Sequence, residues 1–171
     1  MALKDVIIFP NLVLRQQAAP VERFDEALHQ LLDDMQETMY HSQGIGLAAN
    51  QVNVTLRVAV IDISEDRSQS LDIVNPEIVA TTGRVASSEG CLSIPEYRDT
   101  ISRHKEVTVR AFNRQGEEFT IEATGMLAIC LQHEIDHLNG VLFTDHLTFL
   151  KRQFFQKWCK KHLPVSKAEL D

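Results

Sequence analysis

The segment "CLQHEIDHLNG", residues 130–140, sets two histidines four positions apart, with a glutamate directly after the first. On a helix, four residues turn the chain by about 400°. His133 and His137 therefore stack on one face, roughly 5–6 Å apart at Cβ. Two imidazoles at that separation reach one ion with metal–nitrogen bonds of about 2.0–2.1 Å. Glu134 lies about 100° further round the helix. From there it can lean over an open coordination position, where a carboxylate serves as general base toward a metal-activated water. Ile129, Leu131, Ile135 and Leu138 mark the helix as buried. Burying two imidazoles and a carboxylate without partners is costly.

The third protein ligand has to come from elsewhere, with Cys91, Cys130, Asp136, Asp145 and His146 as candidates. Cys130 precedes His133 by three residues, and ligands at 130, 133 and 137 on one helix would crowd, so a small wall residue suits it better. Cys91 sits in "SSEGCLSIPEYR", with a glycine before it and a proline shortly after. Such a segment can bring its backbone close to an ion. A thiolate there would complete a Cys-His-His set with one position left for water. Two other classes use the same residues. A zinc endopeptidase takes a further histidine or glutamate downstream, and His146 keeps that reading open. A non-catalytic module would close the site with four protein ligands, which Glu134 beside an open position argues against.

The elements that must position these residues are readable from periodicity. Phe24, Leu28, Leu31, Leu32, Met35 and Met39 recur at helical spacing and predict a helix from about Val21 to His41, ended by Gly44 and Gly46. "LRVAVIDIS" predicts a strand with one well-buried face. "LDIVNPEIVATTG" predicts two short strands broken at Asn75-Pro76. "EVTVRAFNRQGEEFTIEA" predicts a hairpin turning near Asn113 to Gly116. Thr124 caps a second helix running from Met126 to Leu138, and Asn139-Gly140 stops it. A third helix covers about 147–162, with Leu147, Leu150, Phe154, Phe155 and Trp158 as its apolar stripe. Helix, several strands, helix, helix, without βαβ alternation, is an α+β order.

Bulk properties narrow the class. The 171 residues suit one domain, 1–171, and no apolar run approaches the roughly 20 residues of a membrane span. The start, "MALKDVIIFP", lacks the build of a signal peptide, so the cytoplasm is expected. The three cysteines cannot all pair within the chain, which suits a reducing compartment. Residues 147–163 carry Lys151, Arg152, Lys157, Lys160 and Lys161 without an acid; the total of −7 less these +5 leaves about −12 elsewhere. An acidic body argues against general nucleic-acid binding, whereas the basic tail suits a helix C-terminus or an RNA surface.

Three motifs now stand together: "GIGLAANQ" (44–51), "EGCLS" (89–93) and "QHEIDHLNG" (132–140). In this order and at these separations the chain resembles peptide deformylase of the bacterial type. The resemblance extends through "DDMQETMY", "VNPEI" and "GMLAICLQHE" to nearly the whole length. It implies an α+β fold of mixed, mainly antiparallel sheets around a central metal-binding helix, with an N-terminal and a C-terminal helix. It implies a hydrolase that removes the formyl group of N-formylmethionine from new polypeptides and releases formate. Cys91, His133 and His137 are then the metal ligands, Glu134 the acid–base residue, and Gln51 and the backbone N–H of Leu92 the oxyanion donors. Ile45, Met126, Ile129 and Cys130 would line the methionine pocket. Gly46, Gly90, Glu89 and Arg98 would serve the peptide or brace the cysteine segment, Glu89 through a pair with Arg103. The implied ion is Fe²⁺, with Zn²⁺, Ni²⁺ or Co²⁺ able to substitute. The implied partners are a formylated peptide and, through the basic C-terminal helix, the ribosome; the expected state is a monomer without membrane contact. Asn50 stands where the family often has proline or threonine, a departure at a position without chemistry.

Overall fold

The structure is a computed structural model that describes residues 2–163. The expected unit 1–171 therefore includes residues 1 and 164–171, which lie outside the described residues. Three helices, α1 (Glu26–His41), α2 (Gly125–Leu138) and α3 (Phe149–His162), combine with seven strands: β1 (Gly46–Ala48), β2 (Val58–Ile61), β3 (Leu71–Thr82), β4 (Val85–Cys91), β5 (Ile94–Arg103), β6 (Glu106–Phe112) and β7 (Glu118–Thr124). Strands β1-β2-β3-β6-β7 form one sheet in that order, and β4-β5 form a separate ribbon. Every named pair is antiparallel, so the expected mixed character reduces to an isolated parallel bridge between Ala19 and Leu56.

Strand β2 explains how the layers stack. Side chains alternate across a strand. Val58 and Val60 pack with Leu28, Leu32, Met35 and Met39 of α1. Ile61 packs with Ala128, Leu131 and Ile135 of α2, and Ala59 with Leu138. All four residues are buried, so β2 has two covered faces rather than the one expected. Helix α2 thus lies between the five-stranded sheet and the ribbon.

Other boundaries moved for identifiable reasons. Helix α1 begins at Glu26, because Asp25 caps it by accepting the Leu28 N–H (3.1 Å). Val21, expected inside the helix, lies outside it: its N–H donates to Asn75 Oδ1 (2.8 Å) and its carbonyl accepts from Asn75 Nδ2 (2.9 Å). The helix ends at His41, one turn before Gly46, with Gln43 already in the left-handed region (φ 58°). Asn75-Pro76 does not divide β3. It makes a bulge, with the register against β6 shifting between Val74 and Glu77. The β6–β7 hairpin forms as expected, and Asn113 Oδ1 accepts the N–H groups of Gln115 and Glu117 (3.0 Å each).

Helix α3 packs on the far side of the ribbon. Phe155 and Cys159 enter a cluster with Phe9, Ile94, Ile101, Phe143 and Leu147, and Tyr97 packs at a tilt against Phe155 and Trp158. The expected stripe is only partly right. Phe155 and Leu147 are buried, but Leu150 and Phe154 are 62% and 59% exposed. A helix lying on a surface buries one narrow stripe, and here the line through Phe155 and Cys159 takes it.

Helix α2 is fixed at both ends. Thr124 precedes it, and Asn139 and Gly140 end it, with Gly140 at φ 76°. A Cβ on Gly140 would run into the Arg15 carbonyl. Gly140→Ala therefore combines a left-handed backbone with a clash, and is expected to cost about 2 kcal/mol or more in urea unfolding. A loss under about 0.5 kcal/mol would show that the Arg15 segment yields freely.

Candidate metal and active site

Two elements converge on one point. Helix α2 presents His133 and His137, and the end of β4 brings in Cys91. The donor atoms of these three residues lie within 4.8 Å of one another, and they are the metal-capable group of three found among the described residues. Cys91 Sγ is 3.3 Å from His137 Nε2, which is 3.3 Å from His133 Nε2. Nitrogens about 2.1 Å from a tetrahedral ion sit about 3.4 Å apart, so the spacing fits a divalent metal. Asp136, Asp145 and His146 are spent elsewhere. Asp145 pairs with Arg15, while Asp136 pairs with Arg103 (2.6 Å) and His146 (2.8 Å). Burial pushes the Cys130 thiol up to about 12, and the Glu134 and Glu89 charges push the same way, so Cys130 stays a neutral wall residue.

The ring orientation of His133 is set by a buried ion pair. Its Nδ1 donates to Glu89 Oε1 (3.0 Å), which leaves Nε2 as the nitrogen facing the site, where a bound ion would displace its proton. Both oxygens of Glu89 accept from Arg103 (2.9 Å each), and the two residues are about 5% and 3% exposed. Burial alone would raise the Glu89 carboxyl. The Arg103 and His133 contacts outweigh it and bring it down to about 2. His133 lifts well above the ordinary imidazole value, because Cys91 and Glu89 overcome the burial that would lower it. His137 falls well below it through burial and the nearby His133 and Arg103 charges. His137 is therefore neutral and ready to coordinate.

Glu134 stands beside this group. Burial pushes its carboxyl up to about 7, against the opposing pull of the His133 and Arg103 charges. Its Oε1 is buried without a hydrogen-bond partner among the described residues, as is His137 Nδ1. A bare buried carboxylate oxygen beside three metal-capable donors is what a site built for an ion and a water leaves open. Gly46 of β1 makes room for it: a Cβ there would sit 2.5 Å from Glu134 Oε2.

Gln51 is oriented by its surroundings. The Ala48 N–H donates to its Oε1 (3.0 Å), so its Nε2 is the end that donates to Ser93 Oγ (3.2 Å) and faces Cys91 Sγ (3.5 Å). A cleft of about 930 Å³ is lined by Ile45, Gly46, Gln51, Glu89, Gly90, Cys91, Leu92, Arg98, Met126, Ile129, Cys130, His133 and Glu134. His137 lies behind this wall, 1% exposed. The Glu89 carboxylate turns toward Arg103 and His133. Arg98 Nη2 donates to the Ser88 carbonyl (3.0 Å). Ile45 and Met126 are 40% and 56% exposed. Asn50 is buried and donates to the Gln16 carbonyl (2.9 Å), a packing contact.

Sequence reasoning missed Ser93, although it stands in "EGCLS", and gave Asp136 and His146 only as metal candidates. An arginine buried among two acids and a histidine leaves no periodic signal. Nor did it read β4 as a strand.

Replacing one partner of a buried pair leaves the other charge uncompensated, at about 3–5 kcal/mol. Glu89→Gln in metal-free protein is therefore expected to lose about 3 kcal/mol at pH 7. The Glu89 carboxyl is depressed in the fold, so its contribution is complete above the ordinary carboxylate value and fades as pH falls toward about 2. Denaturant unfolding of both proteins at pH 7 and pH 3 should show the gap narrowing in acid. A gap that widens would contradict the assignment.

A family profile described as Polypeptide deformylase matches residues 3–153. The peptide deformylase of Syntrophobacter fumaroxidans is 52% identical over 98% of this chain and 100% of its own. That of Hamiltonella defensa is 49% identical over 94% of each. The crystal structure of a peptide deformylase from Legionella pneumophila superposes with a TM-score of 0.88 at 46% identity, covering 96% of this chain and 100% of that one. The Ehrlichia chaffeensis enzyme in complex with actinonin gives 0.88 at 40% identity, over 95% and 99%. With identity of this level running from end to end, the chain belongs to the peptide deformylase family, the hydrolases that remove the N-formyl group from formylmethionine at the start of new polypeptides.

Proposed function

We propose that Cys91, His133 and His137 hold one divalent ion, that Glu134 moves the proton, and that Gln51 and Leu92 bind the oxyanion during deformylation. The observation that carries this is His137 Nε2 lying 3.3 Å from both Cys91 Sγ and His133 Nε2, beside a carboxylate with a bare, buried oxygen. A divalent ion held by these residues would supply a Lewis acid and would acidify water, its pKa falling from about 15.7 toward 7. Glu134 takes the proton of the water that attacks the formyl carbon. Gln51 Nε2 and the Leu92 N–H donate to the oxygen as it takes up negative charge, one such donor being worth about 2.7–4 kcal/mol. Glu134 then passes its proton to the leaving nitrogen, because an amide anion leaves very poorly. Formate and a free methionine amino group result.

The substrate reading extends along the cleft. Ile45, Met126, Ile129 and Cys130 take the methionine side chain. The peptide lies extended against Gly46 of β1, an edge strand, as in strand addition. Gly90 and Arg98 line its path, and Glu89 acts through His133 and Arg103. We take iron(II) as the native ion on family grounds; the sulfur–nitrogen set also accepts zinc, nickel or cobalt. An iron–thiolate site is oxygen-sensitive through Cys91. We further propose one catalytic unit over 1–171, working as a cytoplasmic monomer. No helix among the described residues is long and apolar enough to cross a membrane. Phe149, Leu150 and Phe154 lie exposed on α3 beside Lys151, Arg152 and Lys157, which supports ribosome docking through this helix.

Anaerobic purification with metal analysis, followed by formate release from formyl-Met-Ala, tests the chemistry. One bound ion and steady formate release are expected. Gly46→Ala should push Glu134 aside and cut kcat by at least about a hundredfold, the usual scale of a lost acid–base group. Unchanged kcat would remove Glu134 from its role. Cleavage of an internal peptide faster than deformylation would favour an endopeptidase. For docking, changing the exposed Lys157, Lys160 and Lys161 to glutamine should remove most of the salt-dependent part of ribosome affinity while formyl-peptide turnover persists. Equal affinity of this variant would rule out the helix.

A further inference from the structure

Arg67 takes no part in the chemistry above, yet its side chain reaches the wall of the cleft. Its Nη1 donates to the Gly44 carbonyl (2.8 Å) and to the Asp62 carbonyl (3.3 Å). The guanidinium lies 5.9 Å from the centre of the Tyr40 ring, a cation–π distance. Tyr40 Oη in turn donates to Asp62 Oδ2 (2.6 Å). Asp62 is fully buried, and its carboxylate also accepts the N–H groups of Ser64 (2.9 Å) and Gln69 (3.2 Å). The head of Arg67 is therefore seated between an aromatic face and two carbonyls by a polar cluster at the end of β2. Its own backbone is left-handed (φ 58°), a conformation that non-glycine residues seldom take.

The clamped segment is the one that leads into β1. The Gly44 N–H donates to the Met39 carbonyl (2.9 Å), the Gly44 carbonyl accepts from Arg67, and the Ile45 carbonyl accepts the Asp62 N–H (2.9 Å). That last bond sets the phase of the β1–β2 pairing. Antiparallel strands alternate bonded and non-bonded pairs. Gly46 and Ile61, the next pair along, are therefore non-bonded. The N–H and C=O of Gly46 point away from β2, toward the free edge of the sheet and the cleft.

We propose that Arg67 is a positioning residue for the substrate: by clamping the Gly44 carbonyl it holds the free edge at Gly46 ready to pair with the peptide backbone. The inference rests on the strand-addition reading given above. Arg67 touches no reacting atom, so its loss falls on peptide binding and spares the chemical step. The experiment compares KM and kcat of the metal-loaded enzyme on formyl-Met-Ala-Ser and on N-formylmethioninamide, which is too short to use the edge fully. In the wild type, the longer peptide is expected to have the lower KM. Arg67→Met, which keeps the stem and removes the donors, should raise KM for the longer peptide about tenfold. It should change kcat and the short substrate's KM less than twofold and leave metal content unaltered. Arg67→Lys, which restores one donor, should fall between. A length-dependent wild-type KM that Arg67→Met leaves unchanged overturns the role of Arg67. Loss of kcat or metal on both substrates, or failure of both variants to fold, overturns it as well. Equal wild-type KM values for the two substrates overturn strand addition itself, and this inference with it.

Discussion

Arg103 joins the two halves of the site. It leaves β5 inside the protein, grips Glu89 on the neighbouring β4 with two bonds, and reaches across to Asp136 on α2. Through Glu89 the same contact runs on to His133. Ribbon and helix bring Cys91 and the two histidines from parts of the chain more than forty residues apart, and they share this one buried cation as a fixed reference. A charge of that kind tolerates little slack, because each partner that drifts leaves another exposed to a low-dielectric interior. The cost of burying it is offset by the precision it gives the ligands, and the rest of the site is arranged around that precision.

The carboxylate of Glu134 shows the opposite treatment. Where Glu89 is surrounded by donors and stays charged, Glu134 is buried with a bare oxygen and held near the point where it can gain or lose a proton. Two glutamates beside His133, one hydrogen-bonded to its ring and the other next to it along the chain, thus differ in acidity, at about 2 and about 7, because their surroundings differ. Separation of this kind lets one group organise and the other exchange protons. The absence of a side chain at Gly46 completes the arrangement, since the space that Glu134 occupies is the space a Cβ would claim.

How far the sequence could be read depended on whether chemistry or packing wrote each segment. Helix α2 was legible because both wrote the same thing: His133 and His137 at helical spacing, apolar residues around them, and Asn139-Gly140 at the end. The β6–β7 hairpin was legible from its turn. Strand β4 was not, because its inward positions are Ser87, Glu89 and Cys91. Apolar alternation, the usual mark of a strand, is replaced there by side chains that serve the site. Val21 was misread as helical because a distant asparagine, Asn75, takes both of its backbone hydrogen bonds. Asn75-Pro76 was misread as a break because a bulge and a break look alike in one dimension. The stripe of α3 was overdrawn, since periodicity gives the spacing of apolar residues but not which of them meet a surface. The ligand set itself came from resemblance; the residues alone left the third donor open.

Strand β1 has only three residues and stands at the border of its sheet. Unpaired borders normally invite sticking between molecules, and proteins blunt them with charge, proline or brevity. Here brevity does the blunting. Three residues offer only a short ladder to any second chain, and β4 of the ribbon lines the same cleft. On the strand-addition proposal, that shortness suits the border to a loose, extended chain end rather than to a folded strand.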